Sequence, residues 1–122
     1  GKVRRGQSLP EESRLHKTQG PPVPVEHVYR IVDVLDDLAK ETGKTVAQLA
    51  LAWVLTRPTV SSVVFGARNV EQLRQNIDAA NVKLSGEQLA RLDMASAVTP
   101  AYPYWHQDDT FAERNPPATA RT

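Results

Sequence analysis

A chain of 122 residues is ordinary for one domain, and 40% hydrophobic with 24% charged residues makes it globular in type rather than disordered. A net charge of +1 gives no bulk electrostatic attraction for nucleic acid or an anionic membrane, and no apolar run approaches the roughly 20 residues that span a bilayer. The absence of cysteine excludes a disulfide framework and a thiolate zinc site; it fits a reducing cytoplasm, the expected location.

Residues 1–24 mix glycine, proline and charge without periodicity and end in PPVP, which predicts loop. The opening GKVRRGQSLPEESR has basic residues but no apolar core behind them, so it is not a signal peptide. Without an initiator methionine it reads as continuing from chain upstream.

Val28, Ile31, Leu35 and Leu38 fall at helical spacing with acids between them, predicting a helix over about 25–42 that Gly43 caps. Thr45 with Gln48 forms a capping-box pattern that opens a second helix, about 46–57. Its run ALALAWVL is apolar nearly all round, so burial is expected on most sides, with Trp53 in the core. SSVVFG, residues 61–66, is short, apolar and β-branched, the pattern of a parallel strand covered on both faces. Asn69 with Gln72 starts a helix over about 70–80, on which Leu73, Ile77 and Ala80 make one stripe. Ser85 with Gln88 starts another over about 86–96, with Leu89, Leu92 and either Met94 or Ala95 inward. The tail, 98–122, carries prolines with Tyr102, Tyr104, Trp105 and Phe111, too aromatic for a pure linker and suited to anchoring it against the body. One strand cannot make a sheet, so either further strands hide in the loops or the chain is part of a larger α/β protein, and the second reading fits the abrupt start better. A whole (β/α)₈ barrel takes about 250 residues.

The segment 61–76 holds the clearest chemistry. A strand ending at Gly66 delivers Arg68 to a helix start, where free N–H groups and the dipole favour an anion. A guanidinium binds phosphate in a fork at every working pH. Gln72, Gln75 and Asn76, three and four residues apart, project from one side of that helix. The plain alternative is a solvated arginine, with Asn69 and Gln72 serving only as caps. His16, His27 and His106 lack metal-ligand spacing, and no metal site is expected. Asp36–Asp37 and Asp108–Asp109 are adjacent pairs whose side chains diverge on a helix, so they make poor acid–base dyads.

GKVRRGQSLPEESR, TVAQLALAWVLTRP, SSVVFGARNVEQLRQN and LSGEQLARLD, in that order, resemble the C-terminal part of an aldo-keto reductase. The resemblance runs from Gly1 to about Ser96, treated as 1–97, and its strongest motif is strand-Gly-Ala-Arg-x-x-x-Gln-x-x-x-Asn. It implies an α/β fold, the C-terminal portion of a (β/α)₈ TIM barrel, mostly helical here with about one barrel strand. It also implies NADPH-dependent carbonyl reduction, with an aldehyde or ketone as substrate of the complete protein. Carried over by resemblance, Arg68 meets the adenosine 2′-phosphate, with Gly66 beside it, and Gln72, Gln75 and Asn76 hold the adenine and ribose end. Many relatives have Glu where Gln75 stands; an amide still accepts a hydrogen bond from the adenine amino group. Lys2 and Arg14 match the phosphate-facing cations of the loop after the seventh strand, whereas Arg4 and Arg5 read equally as exposed loop charges. The family's catalytic tyrosine, lysine, aspartate and histidine come from earlier strands. None matches a position here, and no activity is expected of the chain alone.

Two other classes were weighed on the same residues. Some members of the superfamily serve as redox-sensing subunits on channels. A helix-turn-helix regulator fails because SSVVF is strand-like where a base-reading helix belongs, and no basic face meets the phosphates.

Overall fold

The computed structural model describes residues 3–8 and 24–98, with positions 103, 110 and 111. Lys2, Arg14 and nearly all of the aromatic tail lie outside the described residues. Within them are four α-helices: α1 Val25–Thr42, α2 Val46–Leu55, α3 Val70–Asp78 and α4 Gly86–Ser96, with one 3₁₀ turn, Ala79–Asn81, following α3. No described helix is long and apolar enough to cross a membrane.

Each boundary has a local cause. α1 starts after Pro24, whose side chain offers no cap, and carries Glu26 in its first turn and Lys40 in its last, as the helix dipole favours. It stops at Gly43, which takes φ 68° and donates its N–H to the Ala39 carbonyl at 2.9 Å. The capping boxes at Thr45/Gln48 and Ser85/Gln88 are both formed, each side chain bonding the other's backbone N–H. α2 ends at Leu55 rather than Arg57, because Thr56 and Arg57 close the turn through the carbonyls of Ala52, Trp53 and Val54.

Burial follows the apolar stripes. α1 buries Val32, Leu35 and Leu38, and α4 buries Leu92 and Ala95, leaving Met94 79% exposed. With Val46 and Leu49 of α2 these make the core, in which Leu38 and Leu49 are fully enclosed. α1 therefore packs on α2 and α4, and α2 in turn touches α3 and the 3₁₀ turn. Trp53 only half enters this core. Its ring lies 4.3 Å from the Arg57 guanidinium carbon, and its Nε1–H donates to Asp93 Oδ1 at 2.7 Å. Arg57 reaches the same carboxylate, so this cluster fastens α2 to α4. The arginine and the indole both stabilise the charged form of Asp93, the arginine more, and hold its pKa below the ordinary carboxylate value.

The expected strand at 61–66 is not formed. No strand occurs among the described residues, and 61–67 carry no regular structure. The reason is hydrogen-bond supply: a strand exists only as part of a ladder, and no other strand occurs among the described residues to pair with it. The side chains meant for such burial stay outside, with Val64 98% exposed. α3 shares this condition. It buries none of its own residues, and Val70, Leu73 and Ile77 all face solvent.

Candidate functional site

The start of α3 is organised by reciprocal side-chain bonds. Asn69 caps the helix, its Oδ1 accepting the Gln72 N–H at 2.8 Å. Gln72 answers one residue further back, its Oε1 accepting the Arg68 N–H at 3.0 Å. The capping reading of Asn69 and Gln72 therefore holds, and Gln72 in addition fixes the backbone of Arg68. One turn on, Gln75 Nε2 donates to Glu71 Oε1 at 2.9 Å. Asn76 Nδ2 reaches back to the Gly66 carbonyl at 3.4 Å, a weak bond across the turn.

Gly66, Gln72, Gln75 and Asn76 line one open pocket of about 600 Å³. Its other wall is the beginning of α2, Thr45 to Ala47, together with Ala39 and Asp36 of α1. Arg4 completes it. Arg68 stands at the helix start beside the pocket with an exposed side chain that does not line it. A Cβ added at Gly66 meets nothing within 4 Å, so the space over this backbone is open to a ligand. Four of the seven residues singled out in the sequence thus share one pocket and a fifth adjoins it; the other two lie outside the described residues.

Two features of the site escaped sequence reasoning. Arg4 is no free loop charge: it pairs with Asp36, while Arg5 pairs with Glu26 at 2.9 Å and Asp33 at 3.7 Å and lies 5.0 Å over the Tyr29 ring. The Glu26 hydrogen bond, with that carboxylate's charge, raises the Arg5 pKa further. The signal was available, since Glu26, Asp33 and Asp36 recur on one face of α1. The second is Gln48, the buried polar side chain of α2. Beyond its capping bonds, its Nε2 donates to Asp78 Oδ2 at 3.0 Å, joining α2 to the end of α3. Nothing in local spacing predicts a bond between residues that far apart in the chain.

His27 takes a structural role: its Nδ1 accepts from Arg30 at 2.7 Å, and Arg30 Nε donates to the Ala95 carbonyl at 3.0 Å. No group of three metal-ligating side chains occurs among the described residues.

Residues 1–97 match the aldo/keto reductase family. The chain is similar to an L-glyceraldehyde 3-phosphate reductase of Escherichia coli O157:H7, 37% identical over 92 residues, 70% of this chain and 27% of that protein. It is similar to a probable voltage-gated potassium channel subunit beta of Arabidopsis thaliana, 38% identical over 86 residues, 67% of this chain and 26% of that one. An uncharacterized oxidoreductase of Bacillus subtilis, YrpG, is 42% identical over 62 residues, 51% of this chain and 19% of its own length. The chain spans about a quarter of the length of the first two relatives.

Proposed function

This chain belongs to the aldo/keto reductase family, and from that premise we propose that it supplies the adenosine end of an NADP(H) site in a carbonyl-reducing oxidoreductase. The observation that carries the reading is the pocket itself. Gln72, Gln75 and Asn76, expected to hold an adenine and ribose, line one open cavity with Gly66, beside Arg68. The donor set fits the group: amide side chains offer both donors and acceptors to a purine edge, and an arginine adjoining a helix start suits a phosphate. Lys2 and Arg14 are proposed to face the remaining phosphates. When bound, the nicotinamide cofactor supplies the hydride that reduces an aldehyde or ketone. The chain's own residues bind and orient the distant end of that cofactor, and no residue here is proposed to move a proton. A cytoplasmic location belongs to the same proposal.

A second reading is favoured by one comparison, the likeness to a potassium channel beta subunit at similar identity to the reductase. In that reading the same pocket binds NADP(H) and reports redox state to a partner.

Calorimetric titration with NADPH and NADH tests the site. NADPH is expected to bind more tightly, and Arg68→Ala to weaken it about tenfold or more, the worth of a charge-assisted phosphate contact, with NADH untouched. Equal losses for both nucleotides, or none, would sink the phosphate assignment. The chain alone is expected to show no aldehyde-dependent oxidation of NADPH above a protein-free control.

A further inference from the structure

The placement of α3 poses a physical question. It carries three of the pocket-lining side chains yet buries none of its own residues. Beside its open apolar contact with α2 through Ile77, the buried contact comes at the 3₁₀ turn that follows it, where Ala79 is enclosed against α2. A helix so placed depends on polar ties for its orientation, and they converge on its last residue. Asp78 accepts from Gln48 at 3.0 Å and from Asn81 at 3.4 Å, with the Lys44 ammonium 3.5 Å away. Gln48 is 6% exposed, and both ends of its amide are used: Oε1 accepts from the Thr45 N–H and hydroxyl at 3.0 and 3.1 Å, while Nε2 serves Asp78. Thr45, whose N–H donates to this side chain, forms the opposite wall of the pocket with Val46 and Ala47.

We infer that Gln48 is a positioning residue for the nucleotide pocket, its amide holding the α2 wall and the α3 wall in register through Asp78. The inference rests on the NADP(H) reading of the pocket. Gln48 bonds Asp78, which does not itself line the pocket. It acts through the helix that bears the lining side chains, and a loosened tie lets Gln72, Gln75 and Asn76 swing away from Thr45 and Ala47.

The amide chemistry supplies a selective test in the full chain. Gln48→Glu keeps the capping box, because a carboxylate also accepts from Thr45, but replaces the donor facing Asp78 with an acceptor. Asp78→Asn alone keeps the tie, since its Oδ1 still accepts from Gln48. Combined with Gln48→Glu it restores the bond with donor and acceptor exchanged. Expected for Gln48→Glu are NADPH binding weakened about tenfold, as for a lost buried hydrogen bond with a charged partner, and faster amide exchange confined to α3 and residues 66–69. The double variant is expected to recover both. Unchanged exchange and affinity, an equal loss of protection in α1 and α4, or failure of the double variant to recover would overturn the inference. If the unaltered chain binds no NADPH, the nucleotide reading fails separately. The exchange pattern then decides alone: loosening confined to α3 and reversed by Asp78→Asn supports the positioning role, and any other pattern overturns it.

Discussion

The helices α1, α2 and α4 and the stretch from Val60 through α3 differ in what holds them. The first group is fastened by interleaved leucines and by ion pairs across its seams, Arg57–Asp93 and Arg91–Glu41 among them. The second carries all five described candidate site residues, Gly66, Gln72, Gln75 and Asn76 lining the pocket and Arg68 beside it, yet most of its apolar side chains face solvent. The residues proposed for binding and the enclosed core are therefore separated along the chain, and the pocket lies at the seam between them. A substitution in the first group is read mainly as a loss of folding, one in the second mainly as a change in the pocket.

The largest expected effect tests the first half of that contrast. Leu38 and Leu49 are fully enclosed and touch each other's cluster from two helices. Leu38→Ala removes buried methyl groups and leaves a cavity, so it is expected to cost about 2–5 kcal/mol, read from the denaturant midpoint at unchanged slope. A loss below about 1 kcal/mol would mean that these leucines are not the centre of the stable unit.

How far the sequence could be read follows the same division. Helices, caps and much of the core needed only local signals: Thr45 with Gln48, Ser85 with Gln88, and a stripe in which Leu35 and Leu38 are buried as expected, while Val28 and Ile31 are half-buried and Val32 takes the inner place. Met94 against Ala95 could not be separated by spacing, because both lie close to the inward arc; the turn of α4 onto α1 selected the alanine. The strand at 61–66 was misread for a different reason. Its composition suits a doubly covered strand, but composition records an environment and not whether the chain contains it. Gln72, Gln75 and Asn76 were legible as a pattern because helical spacing places them on one side, and all three line one pocket with Gly66. The tie of Gln48 was not, since its partner Asp78 is distant in sequence, and the pairing of Arg4 with Asp36 was signalled only by the acidic face of α1.

A smaller effect concerns the seam between α2 and α4. Asp93 has its pKa lowered, first by the hydrogen bond from Arg57 and then by that from Trp53. A carboxyl more acidic when folded contributes stability above its unfolded pKa and loses it as pH falls through the folded value. The window therefore lies below the ordinary value of 3.8. The side chain is exposed, so the effect is modest. Asp93→Asn is expected to flatten the acid limb of the unfolding profile below about pH 4 and leave the indole bond in place, since an amide oxygen also accepts. An unchanged limb, followed by Trp53 fluorescence, would show that the ion pair does not bear on folding.

The smallest expected effect probes the other half of the contrast. Ile77 is 57% exposed and lies with Leu51, Leu55, Val63 and Phe65 along an open apolar groove of about 370 Å³. An isoleucine that water already reaches loses little when made polar, so Ile77→Ser is expected to change the stability of this chain by no more than about 0.5 kcal/mol. The same substitution beneath a covering sheet would cost several times that, because both the buried methyls and an unpaired hydroxyl would count. A measured loss of about 2 kcal/mol or more would therefore mean that the α3 stripe is covered in solution. Comparing Ile77→Ser with Leu38→Ala under one set of conditions separates the two regions without reference to any ligand. The ratio of their effects, rather than either alone, measures how much of the apolar surface in this sequence the chain itself can enclose.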